Sequence, residues 1–253
     1  MNRSETFATL QAPAHWGLID LLSDLHLSTA TPRTFARLDK HLSETPAQAV
    51  FLLGDIFEVW IGDDSRFEGF EAEALVMLRK ASQRIDLFFM VGNRDFLLGA
   101  EMLADAGAKP LTDPTRLDAF GQRYLLVHGD AQCLEDTEYQ AFRRMARSPD
   151  WQQPFLRRPL AERRAIAQQM RAASMSRQSK QELWADLDPG LCLRMLQDAQ
   201  AGTLVNGHTH RPGEHALGGG LRRIVLSDWD FDQAERGDVL RIGAEGIQRV
   251  APC

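Results

Sequence analysis

The amino-acid sequence predicts an α/β fold with a mostly parallel sheet, and three observations support this prediction. Apolar runs of strand length alternate with amphipathic helical patterns through the first hundred residues. Five of the apolar runs are followed at once by Asp, Asn or His side chains. A hairpin-like turn at Gly121-Gln122 indicates that the second half of the chain makes the sheet mixed or forms a second sheet.

The first half of the chain is predicted to contain three strands and two helices. Residues 18–22, 49–53 and 87–91 are short, mainly apolar runs that suit buried strands. Pro32 begins a helical pattern that continues to about residue 42, and a second helix is predicted over about residues 70–84. This order is that of repeated strand–helix–strand units, in which neighbouring strands run parallel.

The second half is predicted to add two helices and five strands. The helices cover about residues 100–106 and 191–201, and the strands cover residues 117–120, 124–127, 203–205, 222–226 and 238–242. The last two strands are expected to close the sheet in antiparallel fashion.

Residues 135–188 differ from the rest of the chain and are predicted to form a helical insertion into a core made of residues 1–134 and 189–253. The insertion has no strand pattern. Between positions 143 and 180 it carries nine arginines and one lysine against two acidic residues, a local charge of +8. It is either a solvated helical hairpin packed on the core, or a lid that binds an anionic and apolar ligand or lies on an anionic membrane.

Composition limits the classes of function. The 253 residues have a formal charge of −6, so the chain outside the basic segment carries −14, which argues against nucleic-acid binding as the main task. The three cysteines have no metal-type spacing and are predicted to be free thiols in a reducing compartment. No run approaches the ~18 apolar residues of a membrane-spanning helix. The sequence therefore predicts a cytosolic protein, or one held on a membrane from the cytosolic side.

The polar residues that follow the five strands form a set of metal-ligand type. Alternation along an extended segment places Asp24 beside His26, and likewise His208 beside His210, so each pair can chelate an ion. Carboxylate, imidazole and amide oxygen ligands suit Mn²⁺, Fe²⁺ or Zn²⁺, and seven ligands suit two ions that share a carboxylate. His15, His41 and His215 lie outside these motifs and are predicted to be surface residues. The seven candidate ligands are Asp24, His26, Asp55, Asn93, His128, His208 and His210.

The order D-x-H, G-D, G-N-x-D, H-G and G-H-x-H resembles that of the calcineurin-like metallophosphoesterases over about residues 19–211. The resemblance implies two packed mixed sheets flanked by helices, with two metal ions at the strand ends. It implies one metal on Asp24, His26, Asp55 and His210, and the other on Asp55, Asn93, His128 and His208, so that Asp55 bridges the two.

Longer segments resemble one family within this group, the UDP-2,3-diacylglucosamine diphosphatases of lipid A biosynthesis. The segments are residues 53–64, 92–99, 128–130, 139–143 and 207–212. The resemblance implies Mn²⁺-dependent hydrolysis of UDP-2,3-diacylglucosamine to UMP and 2,3-diacylglucosamine 1-phosphate, by a metal-activated water that attacks the UMP phosphorus. It also implies a peripheral position on the cytoplasmic face of the bacterial inner membrane, with no nucleic acid and no obligate protein partner.

Within the superfamily that the chain resembles, most members have a histidine at the position of Arg94, usually assigned as general acid or charge stabiliser for the leaving group. Arginine stays protonated, so an enzyme with arginine here is expected to prefer a leaving group that needs no proton, such as a phosphate with a pKa of about 6. Its planar fork can hold a phosphate instead. The substrate contacts that the resemblance implies are Asn93, Arg94, Asp136, Ser174, Gln178, Lys180 and His208, although the family spacing is not kept after Ser174.

Two other functions remain open at this point. A phosphodiesterase or nuclease of the same superfamily would share the metal ligands but need a basic groove. A metal-bound scaffold without catalytic activity would recruit partners through the basic insertion.

Overall fold

The computed structural model of the chain describes residues 7–178 and 185–253. Over these residues it contains twelve strands and seven α-helices. The strands are β1 (Ala8–Gln11), β2 (Leu18–Leu22), β3 (Ala49–Leu53), β4 (Asp86–Met90), β5 (Lys109–Pro110), β6 (Thr115–Ala119), β7 (Gln122–Val127), β8 (Thr203–Asn206), β9 (Gly213–Gly218), β10 (Leu221–Val225), β11 (Val239–Gly243) and β12 (Gly246–Val250). The helices are α1 (Pro32–Glu44), α2 (Gly69–Ser82), α3 (Ala100–Ala106), α4 (Thr137–Ala146), α5 (Pro149–Leu156), α6 (Leu160–Gln178) and α7 (Pro189–Ala199).

The strands form two six-stranded mixed sheets, which confirms the predicted fold class. One sheet has the order β1-β6-β7-β8-β10-β9, and the other has the order β12-β11-β2-β3-β4-β5. In the second sheet β2, β3 and β4 are parallel neighbours, and in the first sheet β7 and β8 are parallel neighbours. The carboxyl ends of the five strands that precede the polar motifs are therefore grouped by sheet, three in one and two in the other.

Three apolar clusters arrange the elements in four layers. One cluster lies between the two sheets and includes Phe51, Leu126 and Ile224. A second packs helices α1, α2 and α3 against the outer face of the sheet that contains β3. The third packs α7 against the outer face of the other sheet. Both sheets thus bury both faces, which explains why their central strands are almost wholly apolar.

The prediction for the closing strands was partly wrong. β11 is antiparallel to β2, as expected, but β10 pairs in parallel with β8 and is antiparallel only to β9. The predicted hairpin is present, since β6 and β7 are antiparallel and joined at Phe120 and Gly121. Helices α4, α5 and α6 all lie between β7 and α7 in the chain, in the predicted insertion. None of the helices in the described ranges is long and apolar enough to cross a membrane.

The prediction that His41 lies on the surface was wrong, whereas His15 and His215 are exposed. His41 is fully buried in α1, and its Nε2 lies 3.3 Å from Oδ2 of Asp20 in β2. Asp20 also accepts two hydrogen bonds from Arg241 of β11, at 2.7 and 2.8 Å. His41 is buried because it packs against Asp20 of β2, which Arg241 of β11 also contacts. Only the fold brings these two strands next to α1.

Acid is expected to weaken the fold through Asp20. Burial alone would raise the pKa of Asp20, but hydrogen bonds from Arg241 and Thr45 and the close contact of His41 outweigh burial and lower the pKa to about 2. Because the unfolded carboxyl has a pKa near 4, the stabilising effect of the Asp20 carboxylate is complete above about pH 4 and is lost as the pH falls through about 2.

The Asp20→Asn variant should lack this pH-dependent part of the stability. In urea unfolding, the difference in stability between the unaltered chain and this variant should shrink by about 2 kcal/mol between pH 5 and pH 2. A difference that stays constant with pH would contradict this account.

Candidate metal centre and substrate cavity

The five polar motifs meet at one edge of the molecule, where the carboxyl ends of both sheets approach each other. Asp24 and His26 follow β2, Asp55 follows β3, and Asn93 follows β4. The remaining three side chains come from the other sheet, His128 after β7, and His208 and His210 after β8. Strand order thus brings together residues that are up to 186 positions apart in the chain.

The backbone at this edge is held in an unusual conformation. Among the described residues, eight that are not glycine have positive φ, and five of the eight are candidate ligands. Their φ values lie between 50° and 65°, in the left-handed region that non-glycine residues rarely adopt. Such strain persists where the surrounding structure fixes it and concentrates at functional sites. The five are Asp24, His26, Asp55, His208 and His210.

One cluster of three side chains could hold a metal ion. The ligand atoms of Asp24, His26 and His210 all lie within 4.8 Å of one another. Nε2 of His26 is 3.1 Å from Nε2 of His210, and Oδ1 of Asp24 is 3.4 Å from the same His210 atom. The other Asp24 oxygen accepts hydrogen bonds from the Ser23 hydroxyl at 2.5 Å and the His208 amide at 2.9 Å. These contacts fix the carboxylate and leave Oδ1 facing the imidazoles.

A second cluster adjoins the first and is formed by Asp55, His128 and His208, whose ligand atoms also lie within 4.8 Å of one another. His128 donates from Nδ1 to the carbonyl of Leu53 at 2.9 Å, which leaves Nε2 for the site. That Nε2 lies 3.0 Å from Oδ1 of Asn93 and 3.6 Å from Oδ1 of Asp55. The amide oxygen of Asn93 therefore lies beside this cluster.

The donor atoms of both clusters fit divalent cations. Oδ1 of Asp24 and Nδ1 of His26 are buried and have no hydrogen-bond partner among the described residues, which is costly for polar atoms inside a protein. Two imidazole nitrogens also face each other at 3.1 Å. A cation between such atoms supplies the positive charge they lack, and oxygen with imidazole ligands matches Mn²⁺, Fe²⁺ or Zn²⁺.

The buried charges of the site interact strongly. Burial raises the pKa of Asp55 to about 7, and the neighbouring carboxylates act in the same direction. Burial alone would lower the pKa of His128, but the negative charges of Asp55, Asp24 and Asp130 raise it to about 9. Burial, together with the charge of His128, lowers the pKa of His208 to about 4.

A cavity of about 530 Å³ opens directly onto the two clusters. One part of its wall is polar and includes Asp55, Asn93, Arg94, His208 and His210. The other part is apolar and is built by the segments after β3 and β4 together with helices α4, α5 and α6. Its apolar side chains include Trp60, Phe96, Phe142, Trp151, Phe155 and Met170. The cavity can therefore accept a ligand with an anionic end at the clusters and an apolar end under the helices.

The family model for calcineurin-like phosphoesterases matches residues 18–212, which include every strand end that carries a candidate ligand. The chain belongs to this family. It is 44% identical over 239 residues to the UDP-2,3-diacylglucosamine hydrolase of Xanthomonas campestris pv. campestris, with 89% of this chain and 95% of the relative covered. The protein of the same name from Cellvibrio japonicus is 42% identical over 214 residues, with coverages of 82% and 89%.

Arg94 of this phosphoesterase lies at the edge of the second cluster. Its backbone amide donates to Oδ1 of Asp55 at 2.8 Å, and its Nε is 3.5 Å from Oδ2. Its guanidinium is also paired with Glu58 and lines the cavity. The side chain therefore sits where it can contact both a carboxylate of the site and a phosphate in the cavity.

The remaining residues predicted to contact substrate have different positions. Asp136 lines the cavity and caps α4 by accepting a hydrogen bond from the amide of Tyr139 at 3.0 Å. Ser174 and Gln178 lie in α6, but their side chains are outside the part of the chain that the structure describes. Lys180 lies outside the described residues altogether.

Two aspartates of the motifs tie loops and helices together. Asp95 is fully buried and accepts hydrogen bonds from the amides of Gly92 and Ile56, at 2.7 and 2.8 Å. Asp130 is also fully buried, and accepts from the Tyr139 hydroxyl at 2.5 Å and from Arg143 Nε at 2.8 Å. Asp95 thus joins the loops after β3 and β4, and Asp130 joins α4 to the core.

Sequence reasoning missed four residues of the site. Tyr139 and Arg171 line the cavity, and Glu58 contacts both Arg94 and Arg171. Asp228 lies 3.6 Å from Nδ1 of His210. The sequence indicated only Glu58 and Tyr139, which lie in the segments 53–64 and 139–143 that carry the family resemblance. Tyr139, Arg171 and Asp228 are distant in the chain from the residues they accompany.

Proposed function

We propose that this phosphoesterase hydrolyses the diphosphate bond of UDP-2,3-diacylglucosamine to UMP and 2,3-diacylglucosamine 1-phosphate. The observation that carries the proposal is the two-sided cavity, which joins two metal-type clusters to an apolar wall. A nucleotide-linked lipid has this same division between a diphosphate and acyl chains. The names of the relatives from Xanthomonas and Cellvibrio agree with this substrate.

We propose that two Mn²⁺ ions bind at the clusters. Asp24, His26, Asp55 and His210 would hold one ion, Asn93, His128 and His208 would hold the other, and Asp55 would be shared. Bound divalent ions activate a water molecule as nucleophile and neutralise charge on the phosphate. Asp24 is already fixed for this role by Ser23 and the His208 amide, and His128 by its hydrogen bond to the Leu53 carbonyl.

Arg94 and Arg171 are proposed to bind the phosphates. Both guanidinium groups face the cavity, one from the core and one from α6. Arginine holds phosphate oxygens through paired N–H groups and keeps its charge at all working pH values. Because neither group can give up a proton usefully, the site favours a phosphate leaving group, which needs none near neutral pH.

The acyl chains are proposed to lie against the apolar wall under α4, α5 and α6, so that residues 135–188 act as a lid on the core. Phe155 is buried in this wall, and its ring stacks on Trp151 with centroids 4.8 Å apart. Asp136 and Tyr139 at the start of α4 are placed to contact the sugar. Ser174, Gln178 and Lys180 remain proposed contacts, since their side chains lie outside the described part of the chain.

One labelling experiment tests the reaction. Purified protein is incubated with UDP-2,3-diacylglucosamine and Mn²⁺ in ¹⁸O-labelled water, and both products are analysed by mass spectrometry. The expected result is label in UMP alone, because water attacks the UMP phosphorus. Label in the sugar phosphate would contradict the direction of attack. Faster cleavage of single-stranded DNA or of a nitrophenyl diester than of the UDP-lipid would instead support a phosphodiesterase or nuclease.

We also propose that the helices of residues 135–188 rest on the cytoplasmic face of the inner membrane. Met145 and Leu156 are exposed, at 50% and 40%, although they are apolar. Exposed Arg144 and Arg157 lie next to them in the chain and suit anionic headgroups. This position would give the cavity direct access to a lipid substrate.

Charging both apolar side chains should release the protein from membranes. The Met145→Glu, Leu156→Glu variant is expected to bind phosphatidylglycerol-containing vesicles at least about fivefold more weakly, because it buries less apolar surface and repels anionic lipid. Vesicle co-sedimentation measures the bound fraction. Val76→Glu is the matched control, since Val76 is 65% exposed on α2, outside these helices. An equal loss in the control would contradict the proposed contact.

A further inference from the structure

The segment that follows β3 carries three acidic residues whose roles the metal clusters leave unexplained. Asp63 accepts hydrogen bonds from the Trp60 indole at 3.0 Å and from the amides of Gly99 and Met102, both at 2.9 Å. It therefore supports the start of α3. The other two, Glu58 and Asp64, point instead at helix α6.

Helix α6 is joined to this segment at two places that are eight residues apart. Arg163 is almost fully buried, and it donates to the carbonyl of Ile61 at 2.5 Å and to Asp64 at 2.9 Å. Two turns further along, Arg171 donates to Oε1 of Glu58 from Nε at 2.7 Å and lies within 2.5 Å of the same oxygen with Nη2. At the first contact Arg163 is buried while Asp64 is 58% exposed, whereas the second contact lies at the cavity.

Glu58 also holds a second guanidinium. Its Oε2 pairs with Nη1 of Arg94, while Oε1 pairs with Arg171, so one carboxylate separates two positive groups. The two guanidinium groups carry like charges on either side of Glu58 and repel each other. Burial and the charge of Arg94 both lower the pKa of Arg171. The carboxylate offsets this repulsion and fixes both side chains, which are only 15% and 22% exposed.

We infer that Glu58 is a positioning residue, which sets the distance between Arg94 of the core and Arg171 of α6 at the cavity. In this role Glu58 does not touch the reacting atoms, but presents two phosphate-binding groups from opposite sides of the site. The inference rests on the proposed function, since it requires a substrate with two adjacent phosphates. It assigns a role to a residue that lies three positions beyond Asp55 and is not among the seven candidate metal ligands.

The test compares Glu58→Gln with a matched control. Glutamine keeps the shape of the side chain but offers a single acceptor oxygen, so one guanidinium faces an NH₂ group. The KM for the UDP-lipid is expected to rise about tenfold, while kcat changes less than about threefold. Glu68→Gln is the control, because Glu68 also pairs with an arginine of α6, Arg164, at 3.1 Å, but on the exposed side of that helix. It should leave both constants unchanged.

Two further measurements separate this role from a structural one. In the Arg171→Gln background, Glu58→Gln should raise KM by less than about threefold, since part of its effect acts through Arg171. Hydrolysis of a small nitrophenyl diester, which does not span both arginines, should be unaffected. An equal loss with that diester would overturn the inference and indicate that Glu58 acts on His26, 3.7 Å away.

Hydrogen exchange tests the link without any substrate. Amides over residues 165–172 of α6 should exchange faster in Glu58→Gln than in the unaltered chain, while those of α2 should not change. Unaltered exchange in α6 would overturn the inference even if the UDP-lipid is hydrolysed. No turnover of the UDP-lipid by the unaltered protein would overturn the proposed function and, with it, the phosphate-positioning role.

Discussion

Replacing Asp55 with asparagine is expected to lower kcat/KM for the UDP-lipid by more than about 10³-fold. The reason is its central position, since Asp55 lies in the second cluster and is the residue proposed to bridge both ions. Replacing a residue that only orients a metal ligand typically lowers metal affinity or activity 10- to 100-fold. The loss of a ligand shared by two ions should therefore lower activity by more than that. Asparagine can still accept the Arg94 amide hydrogen bond, so the loop geometry should be retained.

Metal content distinguishes a shared ligand from an ordinary one. Asp55→Asn should bind fewer than one Mn²⁺ per chain after gel filtration, whereas His26→Ala should lose the ion of its own cluster and keep the other. Asp198→Asn, an exposed change on α7, serves as the control and should keep full activity and metal. Retention of one full Mn²⁺ per chain by Asp55→Asn would contradict the bridging role.

Arg94→Ala should give the second large loss, about 10²- to 10³-fold in kcat/KM for the UDP-lipid. The expected size is that of losing a paired, charge-assisted contact to phosphate that is made in both the bound substrate and the transition state. The backbone amide of Arg94 still donates to Asp55 in any variant, so the metal clusters should remain intact. Metal content should accordingly stay at the level of the unaltered chain.

Arg94→Lys tests whether charge alone is enough. Lysine keeps the charge but lacks the planar pair of donors. The kcat/KM of Arg94→Lys should therefore exceed that of Arg94→Ala by less than about tenfold. Arg123→Ala is the control for a general loss of positive charge, since Arg123 is exposed at the start of β7, far along the strand from the site. Full activity of the lysine variant would show that Arg94 contributes only its charge.

The central strands and the polar motifs could be predicted because they are local properties of the chain. An apolar run of five residues followed by Gly-Asp or Gly-Asn indicates a buried strand and its end without knowledge of any neighbour. The strands that prediction missed, β1, β5, β9 and β12, are the four outer strands of the two sheets. Outer strands are paired on one side and partly exposed, so their sequences lack the apolar run that marks a central strand.

The contacts between distant residues could not be predicted in the same way. His41 appeared to be a surface residue because nothing near it in the chain shows that Asp20 and Arg241 surround it. Glu58 and Arg171 are 113 positions apart, and no periodic pattern connects them. Side-chain pairs of this kind depend on how helices dock on sheets, which the sequence specifies only through the whole fold.

The sequence by itself predicted an α/β fold and the seven candidate metal ligands, and the order of its polar motifs carried the family resemblance that implies two packed sheets. It did so because each ligand lies directly after a strand, and strand ends in such a sheet necessarily meet at one edge. Only the tertiary structure decided what surrounds those ligands: the apolar wall under α4, α5 and α6, the pairing of α6 with Asp64 and Glu58, and the facing arginines. Those features arise from packing between segments that are far apart in the chain, and local residue patterns do not predict such packing.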